Sequence, residues 1–143
     1  MNFRQLNNFE YEKAIALALD VFVECGSVDF DINGLQTFKN FIYNDELMNE
    51  LCIFGAFDDE TLIGIIGTKN GGAHISLFFI HPKFHRRGIG RQLFDFVYTN
   101  QPKMQITVNS SSYAVMFYVS LGFSKISDEQ ETNGLKYTPM NKI

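Results

Sequence analysis

The chain has 143 residues, 45% hydrophobic and 20% charged, with fifteen Phe, six Tyr and no Trp. That is one domain's worth of sequence, with enough large apolar side chains to build a core. Sixteen Asp+Glu against twelve Lys+Arg leave a net charge of −4, which argues against a nucleic-acid partner held by overall charge. No apolar run approaches the roughly 18 residues of a membrane span, and the segment after Met1 lacks the apolar core of a signal peptide. Cys25 and Cys52 stand singly, without metal-ligand spacing. The expectation is a single cytoplasmic domain over residues 1–143, with free thiols, no metal and no membrane association.

In chain order, Phe3 to Leu6 reads as a short first strand. Ile15, Leu19, Phe22 and Val23 recur at helical spacing over Tyr11 to Cys25, and Gly26 is the stop. A second helix is predicted over Gly34 to Tyr43, with Leu35, Phe38 and Ile42 inward and Asn33 as cap. Leu51 to Phe57, Leu62 to Gly67 and His74 to Ile80 are apolar runs split by tight polar turns, the pattern of an antiparallel meander. Alternation puts His74, Ser76, Phe78 and Ile80 on one face of the third run, and Ile75, Leu77 and Phe79 on the other. After Pro82 a helix runs from about Gly88 to Thr99, with Ile89, Leu93, Phe96 and Val97 as its buried stripe. Met104 to Val108 is a strand, and Ser111 or Ser112 caps a helix through Leu121 that Gly122 stops. Two strands joined at Asn133-Gly134 complete the tail. The fold class is therefore α+β: a mixed, mainly antiparallel sheet of six to seven strands flanked by about four helices.

The average charge conceals an asymmetry. From His81 to Arg91 there are four cations (Lys83, Arg86, Arg87, Arg91) and no acid, so the rest of the chain carries −8. All three histidines, His74, His81 and His85, fall within twelve positions of one another in the same region. In His85-Arg86-Arg87-Gly88-Ile89-Gly90-Arg91 a strand has just ended and two glycines open a helix. The first turn of a helix offers unpartnered N–H groups and the positive end of its dipole. Glycine admits close approach to that backbone, and arginines add charge-assisted donors, so the loop suits a pyrophosphate. It is neither a Walker loop, which needs Lys followed by Ser or Thr, nor a dinucleotide fingerprint, whose third glycine is here Leu93. A solvated basic turn before an ordinary helix is the plain alternative.

Residues 85–90 resemble motif A of the GNAT superfamily of N-acetyltransferases, Q/R-x-x-G-x-G/A, with His85 where Gln or Arg is usual. Residues 108–123 are similar to the family's motif B: Ala114, Tyr118, Gly122 and Phe123 fit its spacing, Ser111 replaces its Asn, and Asn109 lies two residues earlier. The element order also matches, so the resemblance covers about residues 1–143. It implies acetyl-CoA as co-substrate, an amine acceptor, and no metal; family members are often dimers, which makes a homodimer an expectation too.

An alkylamine with a pKa of about 10 attacks a thioester only after losing a proton, and the departing thiolate needs one. Carried over from the family, the backbone of Phe78, Phe79 and Ile80 pairs with pantetheine and supplies an oxyanion donor. Arg86, Arg87, Gly88, Ile89, Gly90 and Arg91 hold the pyrophosphate, Asn109 makes a further cofactor contact, and Tyr118 is the general acid. Tyr118 also reads as a plain core tyrosine. His74 stands where the histone-acetyltransferase branch carries its base, and also reads as a surface histidine at a strand start. Glu24 is a candidate for the acceptor wall or a solvated helix end. Asp29, Asp31 and the stretch Asp128 to Glu131 would attract a cationic amine or simply face water. Cys25 and Cys52 read as buried thiols.

The leading function is acetyl transfer to a primary amine of a small molecule or peptide by direct attack in a ternary complex. A non-catalytic acyl-CoA sensor with a blocked acceptor cleft is the alternative from another class. A nucleic-acid-binding domain built on the basic loop is a third, opposed by the acidic remainder of the chain.

Overall fold

A computed structural model describes residues 1–101 and 104–143. The elements are β1 (Asn2–Gln5), α1 (Tyr11–Cys25), α2 (Ile32–Ile42), α3 (Asp45–Asn49), β2 (Cys52–Asp58), β3 (Thr61–Lys69), β4 (His74–Ile80), α4 (Ile89–Tyr98), β5 (Ile106–Ser110), α5 (Val115–Ser120), β6 (Ser124–Lys125), β7 (Gln130–Thr132) and β8 (Leu135–Lys142). The strands form one sheet in the order β1-β2-β3-β4-β5-β8-β6, with β7 paired to β8. Every pairing is antiparallel except β4 with β5. The α+β class is as expected, with eight strands and five helices among the described residues. The extra elements, β6 and α3, are two and five residues long, too short to show a period. Among the described residues no helix is long and apolar enough to cross a membrane.

The sheet has a core on each face. Ile65, Leu77 and Ile53 pack with Ala14, Ala18 and Phe22 of α1 and with Phe38 and Ile42 of α2. Ile66, Ile75 and Val108 pack with Ile89, Leu93, Phe94 and Val97 of α4 and with Tyr118 of α5. Each fully buried Ile or Leu in these layers contributes about 1.5–3 kcal/mol by leaving water. The two alanines let α1 lie close to the sheet, and Val23, assigned to its inner stripe from spacing, turns to solvent at 46% exposure. On α4 the fourth inward residue is Phe94, not Phe96, because Leu93 and Phe94 straddle the inward direction. Phe96 instead lies over the sheet edge near Phe3 and Phe54, at centroid distances of 6.0 and 6.2 Å.

Two caps differ from expectation for local reasons. α2 starts before Asn33: Asp31 is its cap, its carboxylate accepting from the Gly34 N–H at 3.0 Å. Neither Ser111 nor Ser112 caps with its own side chain. A turn of 3-10 helix (Ser112–Ala114) precedes α5, and its first N–H, on Ser112, donates to Asp29 at 2.8 Å.

The feature that positions the site is an irregularity in β4. Gly67 opposes Leu77 and Thr68 opposes Ile75, leaving Ser76 without a partner on β3. This bulge reverses the alternation. Ile75, Phe78 and Ile80 therefore belong to the α4 side, while Leu77 and Phe79 face α1; the expected grouping of Ile75 with Leu77 and Phe79 is corrected. β4 pairs with β5 only at His74–Thr107 and Ile75–Val108. Just past the bulge the strands part, and β5 continues against β8 alone.

Candidate active site

The loop after β4 is held by its histidines. The His81 N–H donates to the Ile63 carbonyl at 2.8 Å, and the His81 Nδ1 accepts from the Lys83 N–H at 3.1 Å. His85 Nε2 lies 2.6 Å from the Ile80 carbonyl. A carbonyl only accepts, so Nε2 carries the proton there. Arg86 (φ 64°) and Gly88 (φ 76°) then turn the chain through left-handed conformations. For Arg86 that conformation costs about 1–2 kcal/mol. No side chain caps the helix that follows, so the first N–H groups of α4 open outward with the positive end of the dipole.

Gly90 has a packing role. A Cβ there would lie 2.9 Å from the Phe117 ring, so its absence lets α5 close against α4. Arg91 ties the two helices together by donating from Nη2 to the Ser120 carbonyl at 2.6 Å. Between the loop, α4 and α5 lies a cleft of about 580 Å³ whose lining includes Phe78, Ile80, Arg86, Gly88, Arg91 and Tyr118. Its basic mouth and apolar inner wall suit an anionic head on an apolar arm.

A second cleft, of about 400 Å³, opens on the opposite face of the sheet, beneath α1, α2 and the β7–β8 hairpin. Phe78, Tyr113, Ala114 and Tyr118 line both clefts. These shared residues stand where β4 and β5 part.

Tyr118 is 4% exposed, packed among Phe78, Phe117 and Phe123 at centroid distances of 6.1, 5.5 and 5.3 Å. Burial, with Tyr113 and Tyr98 nearby, pushes its phenol far above the ordinary value, so it stays protonated at neutral pH. Thus it is equipped to give a proton and not to take one.

The other predicted residues are distributed as follows. Ile89, Gly90 and Arg91 line the first cleft with Arg86 and Gly88, whereas Arg87 stacks its guanidinium over Phe84 at 5.2 Å and lines neither cleft. Phe78 and Ile80 face the first cleft, Phe79 and Asn109 the second. His74 lines neither. It sits half-buried at the closed end of the β4–β5 pair, its Nδ1 2.7 Å from Thr107 Oγ1, and burial followed by the Lys69 charge lowers its pKa.

Glu24 is exposed on α1. Asp29, read from the sequence as attracting a cationic amine or facing water, is 2% exposed. Its oxygens accept from the Ser112 N–H and hydroxyl, joining the end of α1 to the start of α5. Nothing in the sequence marks two residues 83 positions apart as partners. The buried-thiol reading fails for Cys52, which is exposed at the start of β2; Cys25 is half-buried.

A family model described as an acetyltransferase (GNAT) domain matches residues 26–143. No curated protein sequence matches the chain significantly. Among solved structures, the chain is similar to a GCN5-related N-acetyltransferase from Rhodopseudomonas palustris, with a TM-score of 0.83 at 16% identity over 99% of this chain and 94% of that one. It is also similar to the PaiA N-acetyltransferase of Thermoplasma acidophilum, solved in complex with coenzyme A, with a TM-score of 0.77 at 19% identity over 99% and 97% of the two chains. Escherichia coli YjaB aligns with a TM-score of 0.73 at 19% identity, over 98% and 94%. At these identities the structures speak for the fold, and the family match speaks for descent: the chain belongs to the GNAT acetyltransferase family.

Proposed function

We propose that this chain, as a single domain over residues 1–143, transfers an acetyl group from acetyl-CoA to a primary amine by direct attack in a ternary complex. The observation that carries the reading is the meeting of two clefts, one basic-mouthed and one aromatic, at the Tyr118 side chain between parted strands. A ternary complex needs donor and acceptor to reach one point from separate entrances, and this arrangement allows it.

Acetyl-CoA supplies a thioester carbonyl as electrophile. The uncapped N–H groups at the start of α4, with Arg86 and Arg91, bind its pyrophosphate, and Gly88 holds the turn that aims them. Arg87 supports the loop from outside through Phe84. Beyond the bulge, residues 77–80 pair with β3 alone, leaving β4 backbone groups free to hold the pantetheine arm and to meet the charge developing on the carbonyl oxygen. Tyr118 donates a proton to the departing sulfur. Desolvation raises the basicity of a thiolate in the same cleft as well, which favours its taking that proton.

The amine's own proton goes to water. Asp29 lines the acceptor cleft but is engaged by Ser112, and His74, outside both clefts, acts only through intervening water. The test is thiol release from acetyl-CoA across a panel of amines, with the acetylated product identified by mass. Tight acetyl-CoA binding with no thiol release from any amine would make the protein an acyl-CoA sensor instead.

A further inference from the structure

Resting on that reading, we infer that the acceptor is a small primary amine carried on an aromatic body, and not a polyamine or the lysine of a basic peptide. The cleft on the α1–α2 face is aromatic to an extent its position does not require. Phe22 and Phe38 stack with centroids 3.9 Å apart and planes 8° apart, and Phe79 of β4 stands edge-on to Phe38 at 5.8 Å. Phe41 of α2, Tyr137 of β8 and Tyr118 of α5 line the same cleft. Phe22 is stacked again by Phe30 at 4.5 Å, so this buried stack is the foundation of the wall. The part-exposed rings of Phe41, Phe79 and Tyr137 are the ones that can meet another ring. Tyr113 and Tyr118, also in the lining, add aromatic character that suits an ammonium before it loses its proton.

Charge points the same way. Asp29 is the one carboxylate among the described residues lining this cleft, and both its oxygens accept from Ser112. Glu129 Oε1 also lies 3.2 Å from the Ser112 hydroxyl but does not line the cleft, and the other charged residue of the lining is Lys136, which repels a polycation.

Shape excludes a chain. Thr37 Oγ1 donates to the Asn133 carbonyl at 2.8 Å, the Asp31 N–H to the Gly134 carbonyl at 3.4 Å, and Phe30 bridges to Leu135. The β7–β8 hairpin is thereby fastened over α2, making a roof where an extended peptide would lie. What remains, about 400 Å³, is in the range of small-molecule sites.

The experiment compares kcat/KM by thiol release for 2-phenylethylamine, n-propylamine, spermidine and a short lysine peptide, in the full chain. A preference for 2-phenylethylamine over each of the others by at least about tenfold is expected, the scale on which apolar pockets discriminate. Phe41→Ala and the smaller change Phe38→Leu each reduce the ratio of 2-phenylethylamine to spermidine by about fivefold or more, with the acetyl-CoA KM moved less than about twofold. Spermidine or the peptide turning over as well as 2-phenylethylamine, or a ratio that survives both substitutions, would overturn the inference while leaving the transferase reading intact. If no amine releases thiol, the transferase reading fails and the cleft is read by calorimetry on CoA-saturated protein. There, tighter binding of 2-phenylethylamine than of spermidine supports the inference, and the reverse order refutes it.

Discussion

The roof of the acceptor cleft depends on two glycines, and Gly34→Ala tests it. Gly34 is the third residue of α2, its N–H held by Asp31, with the carbonyl of Gly134 directly over it. An added Cβ would overlap that carbonyl oxygen and lie 2.7 Å from both the Gly134 carbonyl carbon and the Phe30 Cβ. Carbon atoms pack at about 3.5–4.0 Å, so one side must retreat by about 1 Å. All these atoms are backbone or Cβ, so no side-chain rotation relieves the clash. Overpacking of this kind costs about 1–3 kcal/mol. Straining the Thr37–Asn133 hydrogen bond adds about 1 kcal/mol, and the helix preference of Ala over Gly returns about 1 kcal/mol. The net loss is about 1–3 kcal/mol, or a drop in Tm of about 3–10 °C for a chain of this size. Thermal unfolding followed by circular dichroism reads the first effect. The second is kinetic: the hairpin carries Leu135, Lys136 and Tyr137 of the acceptor cleft, so the acceptor KM rises while the acetyl-CoA KM stays. A Tm equal to or above that of the parent would show that helix propensity dominates and that the close approach is not a constraint.

Tyr118→Phe keeps the packing and removes the proton, so kcat falls at least about tenfold with the acetyl-CoA KM within about twofold; unchanged kcat by thiol release would remove Tyr118 from the mechanism. Gly88→Ala meets no neighbour but must hold a φ of 76°, at a cost of about 1–2 kcal/mol. The loop relaxes, and the acetyl-CoA KM rises about tenfold while the acceptor KM does not; steady-state kinetics with both substrates varied would expose an intact loop as an unchanged acetyl-CoA KM. For His74, burial holds the folded-state pKa below the ordinary 6.5. Below that value the unfolded chain takes up a proton that the folded chain refuses. The stability is therefore complete above pH 6.5 and declines as the pH falls from there toward the folded value. His74→Gln flattens this decline, measured as urea midpoints from about pH 5 to 7.5; an unaltered slope would assign the decline to other groups.

Much of this protein is local, and the local part was legible. The α1 boundaries follow from apolar spacing and a terminal glycine, and β4 from an apolar run between Gly72 and Pro82. The basic loop and the Tyr118 helix stand out because short-range chemistry writes them: cations, glycines and a helix start within eleven residues. The inward faces were less legible. Phe94 and Phe96 are equally apolar, and only the direction in which α4 meets the sheet decides between them.

The sequence by itself determined the α+β class, the family resemblance, and the place of the donor loop, since each rests on residues near one another in the chain. Tertiary structure decided the rest. A single unpartnered residue, Ser76, turned half of β4 over and set Ile75 on the face opposite Leu77 and Phe79. The closed end of the parted strands took His74 out of both clefts, and Ser112 took Asp29 out of the pool of free charges. Register, parting and pairing across 83 residues are set by how whole layers pack. The charge of −4 with which the sequence opens is thus the sum of a +4 loop at the basic-mouthed cleft and −8 spread over the rest of the chain. Of that remainder, Asp29, the carboxylate among the described residues lining the aromatic cleft, is engaged by Ser112.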